Sequence, residues 1–282
     1  MKIIECPRDA MQGIKHFIPT SDKVKYLNQL LKVGFDTLDF GSFVSPKAIP
    51  QMKDTAEVVE QLDLSQTNTK LLAIVANKRG AETALGFDQI DYLGFPLSIS
   101  ETFQKRNTNK TIKEAITVIG EIQDLVIKRN KETVIYISMG FGNPYGDPYS
   151  LEMVADFVDL IYAMGINIIS LSDTIGIATP DDIDYLFKNL LAQYPEIEFG
   201  AHLHSRPESS RDKIKAAQQA GCRRFDGAIN GFGGCPMADD ELVGNMATET
   251  IISELRKQNP NMGLKIDEFD KSMSLAAPIF GL

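Results

Sequence analysis

The chain has no tryptophan, only three cysteines and three histidines, and no basic run anywhere in its 282 residues. Each scarcity excludes something. Cys6, Cys222 and Cys235 are odd in number and lack a Cys-x-x-Cys spacing, so free thiols in a reducing compartment are expected, not a disulfide framework. No stretch approaches the roughly 20 apolar residues of a membrane span. The opening Met1-Lys2-Ile3-Ile4-Glu5 reads as a strand, not as a cleavable leader. A formal charge of −9 without clustered lysine or arginine argues against nucleic acid and against membrane surfaces as partners. It leaves room for an anionic small molecule, because local basic residues override the net sign. A cytoplasmic protein is the expectation.

What the chain does have is a regular alternation. Short apolar or β-branched runs at 3–5, 37–40, 71–75, 89–93, 133–138, 167–172, 198–202 and 224–229 read as strands. Segments of helical period follow them at 21–33, 55–61, 81–85, 112–128, 151–164, 181–193, 209–220 and 248–257. Gly34, Gly165 and Gly221 fall where helix ends should fall. Eight βα units with no composition shift predict a single-domain TIM (β/α)8 barrel over residues 1–282. A doubly wound sheet is disfavoured, since no G-x-G-x-x-G turn follows the first strand.

In such a barrel the active site lies at the C-terminal ends of the strands. The polar residues there are Arg8, Asp9 and Gln12 after strand one, then Asp39 with Ser42, Ser45 and Lys47 at strand two. Ser170 through Asp173 and Thr174 end strand six, His202-x-His204 ends strand seven, and Asn245 follows strand eight. His202 and His204 alternate on a strand, so both imidazoles can face one point. Asp9 and Asn245 would complete a mixed nitrogen–oxygen set suited to Mg²⁺, Mn²⁺ or Zn²⁺. Arg8 reads either as a loop ion pair or as a clamp on an anion or enolate oxygen. Asp39 reads either as a catalytic carboxylate or as a holder of Arg8 or Lys47. Asp173 is expected to orient a histidine or to act as a base. His16 reads as solvated or packed, and Cys6 and Cys222 as small buried residues. The turn Gly231-Phe232-Gly233-Gly234-Cys235-Pro236 fixes one thiol between glycines and a proline, an arrangement that brings a reactive group over a site.

The segments Pro7-Arg8-Asp9-x-x-Gln12, Ser42-Phe43-Val44-Ser45-Pro46-Lys47, Asp173-Thr174-Ile175-Gly176, His202-x-His204 and Gly231 to Pro236 together resemble 3-hydroxy-3-methylglutaryl-CoA lyase, of the metal-dependent TIM-barrel lyases and synthases. The resemblance implies retro-Claisen cleavage of 3-hydroxy-3-methylglutaryl-CoA to acetyl-CoA and acetoacetate, within leucine degradation. It implies Mg²⁺ or Mn²⁺ held by Asp9, His202, His204 and Asn245, with Arg8, Asp39, Asp173, His202 and Cys235 in catalytic roles. Gln12, Ser42, Ser170, Lys105 and Asn107 would bind the acyl-CoA, the last two from a loop starting at Glu101, and a homodimer is implied too. Where the family's lyases usually carry glutamate this chain has Asp39. Asn143, Ser205-Arg206-Pro207 and residues 237–241 also depart from the pattern. A condensing enzyme of acetyl-CoA and a 2-keto acid is the alternative, disfavoured because the chain ends soon after the eighth helix. A non-catalytic metal- or CoA-binding barrel is the other.

Overall fold

The computed structural model describes residues 1–234 and 243–281. Eight strands pair side by side in chain order: β1 (Lys2–Glu5), β2 (Thr37–Ser42), β3 (Lys70–Ile74), β4 (Ile90–Ser98), β5 (Glu132–Ser138), β6 (Ile168–Asp173), β7 (Glu198–Leu203) and β8 (Arg224–Gly227). Every pairing is parallel, and β8 returns to β1 with Lys2 opposite Arg224 and Ile4 opposite Asp226. The expected TIM barrel is the observed one. Strands buried on both faces need apolar residues at nearly every position, which is why these segments read as continuous runs.

Helices cover the outside. α1 (Pro7–Gln12) and α2 (Thr20–Leu30) follow β1, α3 (Thr55–Glu60) follows β2, and α4 (Lys78–Ala84) follows β3. α5 (Glu101–Thr108) and α6 (Ile112–Lys128) follow β4; α7 (Leu151–Ala163), α8 (Pro180–Gln193) and α9 (Pro207–Gln219) follow β5, β6 and β7. α10 (Thr248–Arg256) and α11 (Ile266–Phe280) close the chain. The α6 start is fixed by a capping box between Thr111 and Glu114, a motif worth about 1 kcal/mol. The three glycines expected at helix ends all have positive φ.

Three helices depart from expectation. Residues 101–108 are helix α5, not a loop. Ser100 caps its start by accepting from Phe103 N, and Phe103 is its main apolar anchor. Residues 7–12 form the six-residue α1, begun by Pro7 at the first helical position. After the eighth unit comes α11, which packs on α2 and seats Phe280 against Phe232 with ring centroids 4.4 Å apart. The glycine-rich turn is therefore propped by the C-terminal helix.

The barrel interior is divided. Leu72, Ile74, Tyr92, Val134, Tyr136 and Ile168 form an apolar cluster on β3 to β6. Facing it, β2, β7 and β8 bring in Asp39, His202, Arg224 and Asp226, all but His202 essentially inaccessible to solvent. The charged half carries the site.

Candidate active site

Gln12 lies one helical turn beyond both Arg8 and Asp9 on α1, at i+4 and i+3, so its side chain can meet each of them. Arg8 Nη1 donates to Asp9 Oδ1 and to Gln12 Oε1, each at 3.0 Å, and Gln12 Nε2 donates to Asp9 Oδ1 at 2.7 Å. Arg8 Nε reaches Asp39 Oδ1 and Oδ2 at 3.2 and 3.0 Å, and Nη2 also donates to Asp39. The sequence left Asp39 open between two roles; here it is seen holding Arg8. Of the five guanidinium N–H groups, one on Nη2 has no acceptor among the described residues. The β2–β3 ladder shifts register between Asp39 and Gly41, an irregularity common beside functional sites.

His202 on β7 and His204 just beyond it converge with Asp9: one ligand atom from each lies within 4.8 Å of the others. His202 Nδ1 is 3.2 Å from Asp226 Oδ2. His204 Nδ1 is buried with no hydrogen-bond partner among the described residues. Asn245 is brought alongside by an isolated bridge to His204. Its Nδ2 donates to Asp9 Oδ2 at 2.6 Å and to Phe232 O at 2.8 Å, so both amide hydrogens are used and only the oxygen is left to offer. The glycines of the turn are required by this packing. A Cβ on Gly233 would sit 2.7 Å from Asn245 Nδ2 and 2.8 Å from Asp9 O, at a φ of +93°.

The electrostatics follow from burial and neighbours. Burial works against the ionised form of Asp9, but Arg8 and the two histidines hold its carboxyl below the usual range. Burial dominates at Asp39 and pushes it to about 6 in spite of Arg8. Burial and then the charge of His202 lower His204 to about 4, which keeps that imidazole neutral. Burial acts against the His202 imidazolium too, but Asp226 and Asp9 outweigh it and the pKa rises. An unpartnered imidazole nitrogen, a neutral ring, an ionised carboxylate and an amide oxygen make a donor set that fits a hard divalent cation.

Other expected residues lie nearby in different roles. Among the described residues the Asp173 carboxylate makes no hydrogen bond to a histidine ring. It accepts from Ile177 N, Ala178 N and Lys213 Nζ at 2.9, 3.1 and 2.7 Å. Lys213 in turn donates to His204 O at 3.1 Å, so Asp173 acts on the loop that carries His204. The carboxylate on His202 is Asp226, which the sequence reading passed over. Ser42 Oγ donates to Ile74 O at 3.2 Å and shapes the loop after β2. Ser170 is buried facing the barrel axis, and its Oγ has no hydrogen-bond partner among the described residues. Lys105 and Asn107 sit on α5 at the same rim, with Lys105 paired to Glu101 at 3.0 Å. Cys6 and Cys222 are fully buried, and burial pushes both thiols up, Cys222 to about 12. His16 is exposed.

Two departures from the family pattern have local structural reasons. Asn143 accepts from Tyr145 N and Asp147 N at 3.0 and 3.1 Å and shapes the loop after β5. Asp147 then accepts from Ser100 Oγ and Thr102 N, tying that loop to the start of α5. Ser205 Oγ bonds within the turn that opens α9. Cys235 and residues 237–241 lie outside the described residues.

Fold and site together define a TIM-barrel protein with a divalent-metal-type cluster and a buried arginine at the mouth of the barrel. The chain matches the HMGL-like family model over residues 2–275. It is 33% identical to a hydroxymethylglutaryl-CoA lyase of Bacillus subtilis over 93% of this chain and 87% of that one. It is 30% identical to the human cytoplasmic 3-hydroxy-3-methylglutaryl-CoA lyase over 94% of this chain and 71% of that one. The crystal structure of the Bacillus subtilis HMG-CoA lyase superposes with a TM-score of 0.92 at 32% identity, covering 99% of this chain and 93% of that chain. An Acinetobacter baumannii HMG-CoA lyase in complex with coenzyme A and 3-methylmalate also gives 0.92, at 28% identity, covering 99% and 91%. The chain belongs to the HMGL-like family.

Proposed function

We propose that this protein is a divalent-metal-dependent carbon–carbon lyase that cleaves 3-hydroxy-3-methylglutaryl-CoA to acetyl-CoA and acetoacetate. The observation that carries the reading is the joining of Arg8 to Asp9, with Asp9, His202 and His204 converging behind it. Asp9, His202, His204 and the Asn245 oxygen would hold the ion, Mg²⁺ or Mn²⁺ by the hardness of the donor set. When bound, it supplies Lewis-acid acidification of the substrate's tertiary hydroxyl.

The remaining roles fall to side chains of this chain. Asp39, at about 6, is basic enough to take the hydroxyl proton near neutral pH. As the C2–C3 bond breaks, its electron pair moves onto the thioester and the hydroxyl carbon becomes the ketone of acetoacetate. Arg8 presents its remaining Nη2 N–H and its charge to the enolate oxygen of the leaving acetyl-CoA. A guanidinium locked by Asp39, Asp9 and Gln12 needs no reorientation to do this. Cys235 then protonates the enolate carbon; a thiol, with a reference pKa of ~8.5, is in general a competent acid toward so basic a centre. That role rests on the sequence and on the pressing of Gly233 onto Asp9 and Asn245. Lys105 and Asn107 on α5 meet the CoA portion.

The test is a substrate panel with Mn²⁺ or Mg²⁺: 3-hydroxy-3-methylglutaryl-CoA, 3-hydroxyacyl-CoAs with shorter and longer acyl groups, and acetyl-CoA with 2-keto acids. Highest kcat/KM on 3-hydroxy-3-methylglutaryl-CoA is expected. Turnover confined to the condensation reactions would replace the reading with its alternative.

A further inference from the structure

His202 does not stand alone in the barrel. Strand register places Asp226 directly opposite it in the β7–β8 ladder, with Ser172 opposite on the β6 side. Both His202 and Asp226 point inward, as alternate residues of neighbouring strands in register must. Asp226 Oδ2 lies 3.2 Å from His202 Nδ1, and the Asp226 side chain is 0% exposed. The ring of Tyr136 meets the imidazole edge-on, with centroids 5.4 Å apart and planes at 81°.

One layer beneath lies Arg224, two residues before Asp226 and fully buried. Its side chain runs across Gly200, where a Cβ would sit 3.0 Å from Arg224 Cδ and 2.5 Å from Ser170 Oγ. Gly200 thus makes the space that lets a guanidinium enter the barrel. Arg224 Nη1 donates to Glu198 Oε1 at 3.1 Å, and its Nε and Nη2 have no hydrogen-bond partner among the described residues. Its influence on Asp226 is that of a charge held nearby in a medium of low dielectric.

We infer that Asp226 is a positioning residue for the reaction, selecting the His202 tautomer with hydrogen on Nδ1 and so presenting Nε2 to the Asp9–His204 cluster, with Arg224 beneath it as the compensating charge. The inference rests on the metal-site reading for its consequence, but not for its geometry. An imidazole has one donor and one acceptor nitrogen when neutral, and an acidic neighbour on one nitrogen decides which is which. Without Asp226 the ring is free to carry its hydrogen on Nε2, the nitrogen that must be bare to bind an ion, and to rotate about its side-chain bonds. Carboxylates in this relation to a ligand histidine typically contribute about 10–100-fold in metal affinity.

The chain's three histidines make the test direct. Protein labelled with ¹⁵N-histidine and freed of metal is examined by long-range ¹H–¹⁵N correlation at alkaline pH, with His202 assigned by a His202→Asn variant. Hydrogen on Nδ1 of His202 in the wild type, moving to Nε2 in Asp226→Ala, is expected. Asp226→Asn, whose amide oxygen still accepts from Nδ1–H, should restore the wild-type tautomer. Mn²⁺ binding by calorimetry should weaken about 10–100-fold in the alanine variant and recover largely with asparagine. Asp9→Asn should abolish Mn²⁺ binding and leave the His202 tautomer unchanged, so a failure of the metal reading is separated from a failure of this one. Hydrogen on Nε2 in the wild type overturns the inference whether or not any variant folds. A folded Asp226→Ala with an unchanged tautomer overturns it as well.

Discussion

Arg8 and Asp39 meet side on, the guanidinium Nε donating to both carboxylate oxygens at 3.2 and 3.0 Å while Nη1 of Arg8 holds Asp9. One buried cation thereby links the residue proposed to accept a proton with the residue proposed to hold a metal. Asp39→Ala should lower kcat on 3-hydroxy-3-methylglutaryl-CoA by a factor on the order of 10²–10⁴, the range of acid–base groups. It should also cost about 3–5 kcal/mol of stability, since Arg8 is left buried and half paired. Asp39→Glu keeps the charge and should retain cleavage. Unchanged kcat in the alanine variant, with only the stability loss, would reduce Asp39 to a holder of Arg8.

The proposed metal donors are few enough to test singly. His204→Ala and Asp9→Ala should each lose the divalent ion while the barrel survives, because the apolar shell between strands and helices does not involve them. Elemental analysis of the purified variants, with circular dichroism for the fold, gives the answer. Full occupancy in both would remove these residues from the site.

Glu5 offers a pH signature independent of catalysis. It is completely buried, accepts from Ile229 N at 2.9 Å and pairs with the Thr248 hydroxyl, and burial raises it to about 8. Its unfolded value is about 4.5. Below that value the group is protonated in both states. Between 4.5 and 8 the unfolded chain ionises while the fold keeps Glu5 neutral, so its stabilising contribution is lost as pH rises through this window. Glu5→Gln removes the titration and keeps both hydrogen bonds. The variant should be more stable than the wild type by a margin that grows from pH 5 to about pH 8 and then levels off, to on the order of a few kcal/mol, read as a widening gap in melting temperature. Parallel melting profiles would show that Glu5 does not titrate in this range.

The barrel was legible because a strand buried on both faces leaves a period-free apolar run, and eight of them alternate with helical periods. The missed helices lacked that signal. α1 has six residues and begins with Pro7; α5 buries Phe103 and Gln104 in an otherwise polar segment; α11 carries Pro278 near its end. Asp9, His202 and His204 were readable from their places at strand ends. Asp226 and Lys213 were not, though Asp226 alternates with Arg224 on one strand. Its partnership with His202 depends on the β7–β8 register, which no local spacing encodes. Lys213 reaches Asp173, at the end of β6, from helix α9, 40 residues along the chain.

The three thiols should separate cleanly. Cys6 and Cys222 are buried and their thiols are pushed up, so Cys6→Ser and Cys222→Ser should be near silent. Cys235→Ser should retain metal and CoA-ester binding and lose about 10²-fold or more in kcat, because serine is close in shape but far weaker as an acid. Alkylation should inactivate the wild type and be slowed by substrate. Wild-type turnover in Cys235→Ser would move the proton donor to water or another side chain.

The proposed reaction is cleavage through an acetyl-CoA enolate at the Asp9–His202–His204 site. Its most direct measurement is turnover of 3-hydroxy-3-methylglutaryl-CoA in D₂O with Mn²⁺ or Mg²⁺, followed by mass analysis of both products. We expect acetyl-CoA and acetoacetate in equal amounts, one solvent deuteron in the acetyl methyl group, and no products from Asp9→Ala. Absence of carbon–carbon cleavage in the wild type, or equal cleavage by Asp9→Ala without added metal, would contradict the account.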